Sequence, residues 1–231
     1  MLVGDARTIA REIEMVASPL RALVLGHRLV REVSAGRLPW PKLKNLLAQM
    51  FYRVRHLGDL RISLALRIDE DIKDHVEAKR LCLQMAFGDL NQHQLYLKAC
   101  RAVALDINSL LQGSLLQHET ERELAWERWL LAFASAPEAC AAILFVPLTV
   151  QIRLYPKLLE ALTSHYGLSQ SDAEYFHMNG AVAAPREEAA KRLLALLIRD
   201  EHAKARVAVR VRQALEGMAW WLTAIEKAPG L

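Results

Sequence analysis

Glycine and proline are scarce in this sequence, 10 and 8 among 231 residues, which argues against a fold of strands and tight turns. The three cysteines, Cys82, Cys100 and Cys140, stand apart with no CxxC pair. An odd, dispersed set argues against a disulfide frame or a zinc site and fits small buried thiols in a reducing cytoplasm. No run reaches the ~18 uncharged apolar residues of a membrane span. The opening stretch MLVGDARTIAREIEMV carries charges where a secretion signal needs an apolar core. Phosphate-loop and dinucleotide glycine signatures and GxSxG are missing. Charge of one sign is not concentrated either: 30 basic and 26 acidic residues interleave, for a net charge of +4. No basic stripe carries the interleaved aromatics that stack bases. The chain therefore reads as soluble and cytoplasmic, with neither nucleic acid nor membrane as a partner.

What the sequence does hold is apolar bulk, 53% of its residues, enough for one large core in a single domain over 1–231. Helical periodicity runs almost throughout. A first helical region covers about 5–35, interrupted near Ser18-Pro19 and stopped at Gly36. Pro39-Trp40-Pro41 opens a long helix to about Ile68, with Leu43, Leu46, Leu47, Met50, Val54, Leu57, Leu60 and Leu64 at three- and four-residue steps. The acidic run Asp69 to Asp71 ends it and begins the next. Further helices cover about Asp89–Ala104 and Glu119–Phe133, and Asp106 resembles an N-cap. Pro137 starts a long segment closed by Gly167, in which Pro147 and Pro156 predict a kink or break. Ser169 or Ser171 caps a short helix to about Val182, and Pro185 opens the last helical region, to about Glu226. Within it, Arg206 to Arg212 alternates like a strand but would lack a partner, so it is read as helix. Seven or so helices with short connections predict an all-α bundle with an internal pocket.

Asp89 and His93 share a helix face at i and i+4, and Asp71 and His75 repeat that spacing; either pair could hold a metal or be a surface pair. His27 and His177 each lie on an otherwise apolar face, where a lone histidine is either a satisfied core residue or a proton carrier. Cys140 sits among alanines that permit close helix packing. Trp220 and Trp221 fit packing better than a cofactor box.

Four ordered stretches, over about 25–225, resemble the pyrroloquinoline-quinone synthase family: His27 with Gly36, Met50-Phe-Tyr-Arg-Val54, Leu144-Phe-Val-Pro147 with Arg153-Leu154, and Glu174-Tyr-Phe176. The resemblance implies a haem-oxygenase-like bundle and metal-independent oxidation, by oxygen, of a small aromatic or quinonoid molecule. It also implies a homodimer. Departures qualify it: Val150 and Asn179 stand where that family has a histidine and an arginine, and Leu83 to Phe87 lack an expected histidine. The sister diiron oxidases resemble the chain at Tyr175-Phe176, but Ala181 and Ala184 replace their metal-binding Asp and His. The TenA branch has a C-terminal acid that Glu216-Gly-Met-Ala-Trp220 resembles.

The expected site residues are therefore His177 as proton carrier, Arg153 as anchor for an anionic or carbonyl oxygen, and Tyr175 as hydrogen-bond donor. His27, Tyr52, His93 and Glu216 are expected to contact the substrate. No metal and no cofactor are expected. Two alternatives stay open: a catalytically silent binding protein on the same fold, and a TenA-like hydrolase. Arg153, Tyr175 and His177 facing one another would favour the enzyme, a cavity without convergent polar groups the binding protein, and Glu216 turned inward the hydrolase.

Overall fold

Prolines, caps and left-handed glycines set the helix boundaries, with differences from the periodicity that solvent exposure explains. The computed structural model describes residues 6–69, 74–90 and 92–231 and contains no strand among them. Helix α1 (Ala6–Leu25) runs straight through Pro19. Pro19 and Met15 are exposed, so water takes the carbonyl that the proline leaves without a donor, and the helix continues. The break comes instead at Gly26-His27. His27 caps α2 (Arg28–Ser34): its Nδ1 accepts from the Leu29 amide at 3.1 Å. Gly36, at φ +67°, ends this corner with the His165 ring so close that a Cβ would lie 2.5 Å from it.

Helix α3 (Trp40–Leu66) starts at the expected prolines. Then follow α4 (His75–Asp89), α5 (Gln92–Ala102), α6 (Ile107–Gln112) and α7 (His118–Phe133). Asp71 lies outside the described residues. Asp106 does cap α6, accepting from the Asn108 amide at 3.0 Å. The loop before α7 is tied to α3 by buried amides: Gln117 donates to Asn45 Oδ1 at 2.8 Å, and Gln49 donates to the Leu115 carbonyl at 2.7 Å.

The segment expected to break at Pro147 and Pro156 is helical from Ala136 to Ser164. It comprises α8 (Ala136–Cys140), a π turn at Ala141–Phe145, and α9 (Val146–Ser164). In a regular helix the Pro147 ring would meet the Ile143 carbonyl. The Val146 amide instead reaches back five residues to the Ala141 carbonyl, and this wider turn accommodates the proline. By length and composition this segment could cross a membrane, but 72% of its most apolar window is buried inside the bundle. It is the core helix, in contact with α1, α2, α3, α10 and α11. It ends at Gly167 (φ +71°), beyond which the Leu168 amide bonds the Leu162 carbonyl at 3.0 Å.

The break expected near Pro185 is also absent. Helix α10 (Glu174–Leu197) carries Pro185 on its exposed face, one turn after Ala181, which is exposed as well. The chain breaks at residues 198–200, and Asp200 caps α11 (Glu201–Lys227) through the Ala203 amide at 2.6 Å. The Arg206–Arg212 stretch is helical, as read. Helix α3 packs on α4, α5 and α7, α9 pairs with α10, and α1 lies against α10 and α11. Phe51, Tyr96, Phe145, Tyr175 and Phe176 fill the centre.

Candidate functional site

The bundle leaves a cavity of about 90 Å³ between α2, α3, α9 and α11. Helical spacing builds its walls. Val150, Leu154 and Leu158 form one face of α9, Leu46, Met50 and Val54 one face of α3, and Leu29, Val30 and Val33 come from α2. The polar lining groups are Arg53, Gln151 and Tyr155, together with the indole of Trp221. Arg53 donates to Glu127 at 2.9 Å and lies 5.2 Å from the Trp221 ring, so its charge is compensated. The Trp221 Nε1 donates to the buried Thr120 hydroxyl at 2.9 Å.

Tyr155 links this cavity to a second, fully buried layer. Its hydroxyl lies 3.3 Å from that of Tyr175, whose ring packs edge-on to Tyr96 at 4.8 Å between centroids. Burial pushes all three phenols above their ordinary range, so they are neutral, and the Tyr96 hydroxyl has no hydrogen-bond partner among the described residues. Arg61 lies beside them, 1% exposed, and donates to Asp89 Oδ2. Arg186 donates to Asp89 Oδ1 at 3.0 Å and to Asn179 Oδ1 at 3.2 Å. Asn179 in turn donates to Gln92 at 2.5 Å. Burial first, then the neighbouring Arg186 charge, brings Arg61 down to about 10, so it stays protonated at neutral pH.

The expected site residues do not converge. Tyr175 is buried one layer behind the cavity wall. Arg153 is exposed, donating to the Thr149 carbonyl at 2.7 Å with Glu187 at 3.7 Å. His177 and Glu216 face solvent. His93 is partly exposed and bonds Gln94 at 3.0 Å, while Asp89 takes the two arginines rather than pairing with it. Tyr52 is buried edge-on to Phe51 at 5.7 Å, outside the cavity lining. His27 is outside the cavity lining, although Val24 and Leu29 on either side of it belong to that lining, and its Nε2 lies 3.0 Å from the Thr223 hydroxyl. Among the described residues, no three His, Cys, Asp or Glu side chains gather so as to hold a metal ion.

Solved structures share this arrangement over nearly the whole chain. A TenA homologue from Pseudomonas syringae pv. tomato superposes with a TM-score of 0.83 at 13% identity, over 99% of both chains. A domain of unknown function from Shewanella denitrificans, described as having a haem-oxygenase-like fold, gives 0.78 at 14% identity over 93% of this chain and 90% of that one. A TenA homologue from Pyrococcus horikoshii gives 0.69 at 11%, over 94% and 97%. The fold is haem-oxygenase-like. No protein-family model matches the sequence, and no curated protein is significantly similar to it.

Within this haem-oxygenase-like bundle the thiols are held inert. Burial pushes Cys82 and Cys100 up to about 12, and Cys140 well above the ordinary thiol range. Since the thiolate is the reactive form, dithionitrobenzoate at pH 8 is expected to label none of the three within minutes. All three should react at once in denaturant.

The His27 corner has a pH signature. Burial, the larger influence, holds His27 below its ordinary 6.5 despite the opposing Glu226 carboxylate. The neutral ring is the form that caps α2, because a protonated Nδ1 cannot accept. This contribution to stability is complete above about 6.5, the unfolded value, and is lost as pH falls through the lower folded value. Urea midpoints from pH 8 to 5 should fall less in His27→Asn, which keeps a cap and does not titrate; an identical slope would refute the assignment.

Proposed function

We propose that this chain binds a small, largely apolar molecule in the cavity between α2, α3, α9 and α11 and leaves it chemically unchanged. The observation that carries this reading is the cavity wall itself. It is aliphatic apart from Gln151, Tyr155, Trp221 and an arginine already neutralised by Glu127. Such a wall rewards transfer of apolar surface from water and offers no acid or base poised near neutral pH. Of the residues expected to do chemistry, Arg153 and His177 are on the outside and Tyr175 is buried behind the wall; Glu216, expected to contact the substrate, is exposed as well.

A second reading has one observation in its favour. Tyr155 lines the cavity with its hydroxyl 3.3 Å from that of Tyr175, and this phenol pair is the hydrogen-bonding group that metal-independent oxidation of a substrate would use. A TenA-like hydrolase has the support of the fold neighbours named TenA homologues. It lacks an acid in the cavity, since Glu216 is exposed and Cys140 is a buried neutral thiol.

Native mass spectrometry of freshly purified protein, followed by extraction and aerobic re-incubation, separates these readings. The binding reading expects one apolar compound per chain, recovered unaltered. An oxidised product that disappears in Tyr155→Phe would establish the second reading, and a hydrolysed product the third.

A further inference from the structure

Three carboxylates lie along α7 and α8 where these helices face α3 and α11, and two of them are saturated with cations. Glu127 has Arg53 at 2.9 Å. Glu138 has Arg210 at 3.1 Å, Arg206 at 3.4 Å and the Ser135 hydroxyl at 2.5 Å. Glu123, one turn before Glu127, has no ion pair or hydrogen bond to any described residue, although it is only 7% exposed. Its carboxylate oxygens keep contact with the solvent of the groove, while burial of the side chain raises its pKa against the lowering effects of Arg53 and Arg122.

The space in front of Glu123 is open. Glu123 lines a groove of about 470 Å³ with Trp126, Trp129, Arg122, Arg210 and Gly217. Gly217 keeps that space clear, since a Cβ there would lie 3.3 Å from Glu123 Oε1. The rim arginines are already engaged: Arg122 lies 3.4 Å from the centre of the Trp220 ring, and Arg210, besides its bond to Glu138, lies 5.4 Å from that of Trp129. The groove is thus lined by indole rings and one carboxylate, and that carboxylate, unlike Glu127 and Glu138, has no cation paired with it.

We propose that the α7–α11 groove binds a small organic ammonium ion, with Glu123 as its counterion and Trp126 and Trp129 as the flat apolar wall. This site is separate from the apolar cavity and does not depend on the reading given for it. The test is calorimetric titration of the whole chain at pH 7.5 with phenethylammonium chloride and with 2-phenylethanol, its neutral analogue. The ammonium ion is expected to bind at least tenfold more tightly. Glu123→Gln should reduce it to the level of the alcohol, while Glu160→Gln, an exposed acid on α9 away from the groove, should leave it unchanged. Equal affinities for the two compounds in the unaltered protein would overturn the proposal, and this comparison needs no variant. Retention of the ammonium preference in Glu123→Gln would overturn it too.

Discussion

Replacing Asp89 by alanine is expected to lower the stability of the fold by about 3–5 kcal/mol, the usual cost of breaking a buried ion pair. Asp89 is the shared anion of Arg61 and Arg186, and Arg61 is enclosed to 1% exposure with Nε and Nη2 lacking partners. Without Asp89, two guanidinium groups would face each other in the core. In the intact protein burial brings the Arg61 pKa down to about 10, so the group that loses its counterion is a cation at neutral pH. Arg186 is 16% exposed and can turn toward water, so the loss falls mainly on Arg61. The double variant Arg61→Met/Asp89→Leu removes both the charge and its counterion and should recover most of the stability, since apolar replacement of a buried pair is often neutral. Urea unfolding followed by far-ultraviolet circular dichroism checks both. A loss below about 1 kcal/mol for Asp89→Ala, the scale of an exposed pair, would show that Arg61 is hydrated and that the layer behind Tyr155 is not dry.

The second large effect concerns the cavity. Val150 lies on the α9 face toward the void, with Leu46 and Met50 lining it from α3. Phenylalanine at position 150 would place a ring in that space and displace any occupant. Overpacking costs on the order of 1–3 kcal/mol, and if it falls on the complex, affinity for an apolar probe such as toluene should drop about tenfold to a hundredfold. The free protein should lose little stability, because the ring fills space that is otherwise empty. Calorimetry reads the affinity and thermal unfolding the stability. Unchanged affinity would place the binding elsewhere.

The bundle was legible because burial repeats at helical steps, as along Leu43, Leu47, Val54 and Leu64 of α3, all buried as the pattern requires. Local stops were legible where the backbone demands them: Gly36 and Gly167 adopt positive φ, and Asp106 caps a helix. Proline misled at positions 19, 156 and 185, which lie on exposed faces. There water replaces the lost donor, and exposure is a tertiary property. The site was harder for the same reason. Tyr175 and Phe176 point inward, and the next residue, His177, is turned about 100° around the helix and out to solvent. Asp89 read naturally with His93 at i+4, yet its partners Arg61 and Arg186 are 28 and 97 residues away, beyond any local pattern. Asn179 marked a missing arginine, and the guanidinium bonded to it comes instead from Arg186. The cavity stripe of α9 was present as Val150, Leu154 and Leu158, but apolar residues around a void and those in a filled core have the same spacing.

The proposed function requires that the space between α2, α3, α9 and α11 accept an apolar molecule. Methyl-resolved NMR of the chain labelled at valine and leucine, titrated with toluene, tests this directly. Saturable shifts should be confined to methyls facing the cavity, including Val24, Val30, Leu46, Val150 and Leu158, and should vanish in Val150→Phe. Shifts that never saturate, that centre on the exposed leucines Leu23 and Leu66, or that persist unchanged in Val150→Phe would contradict it.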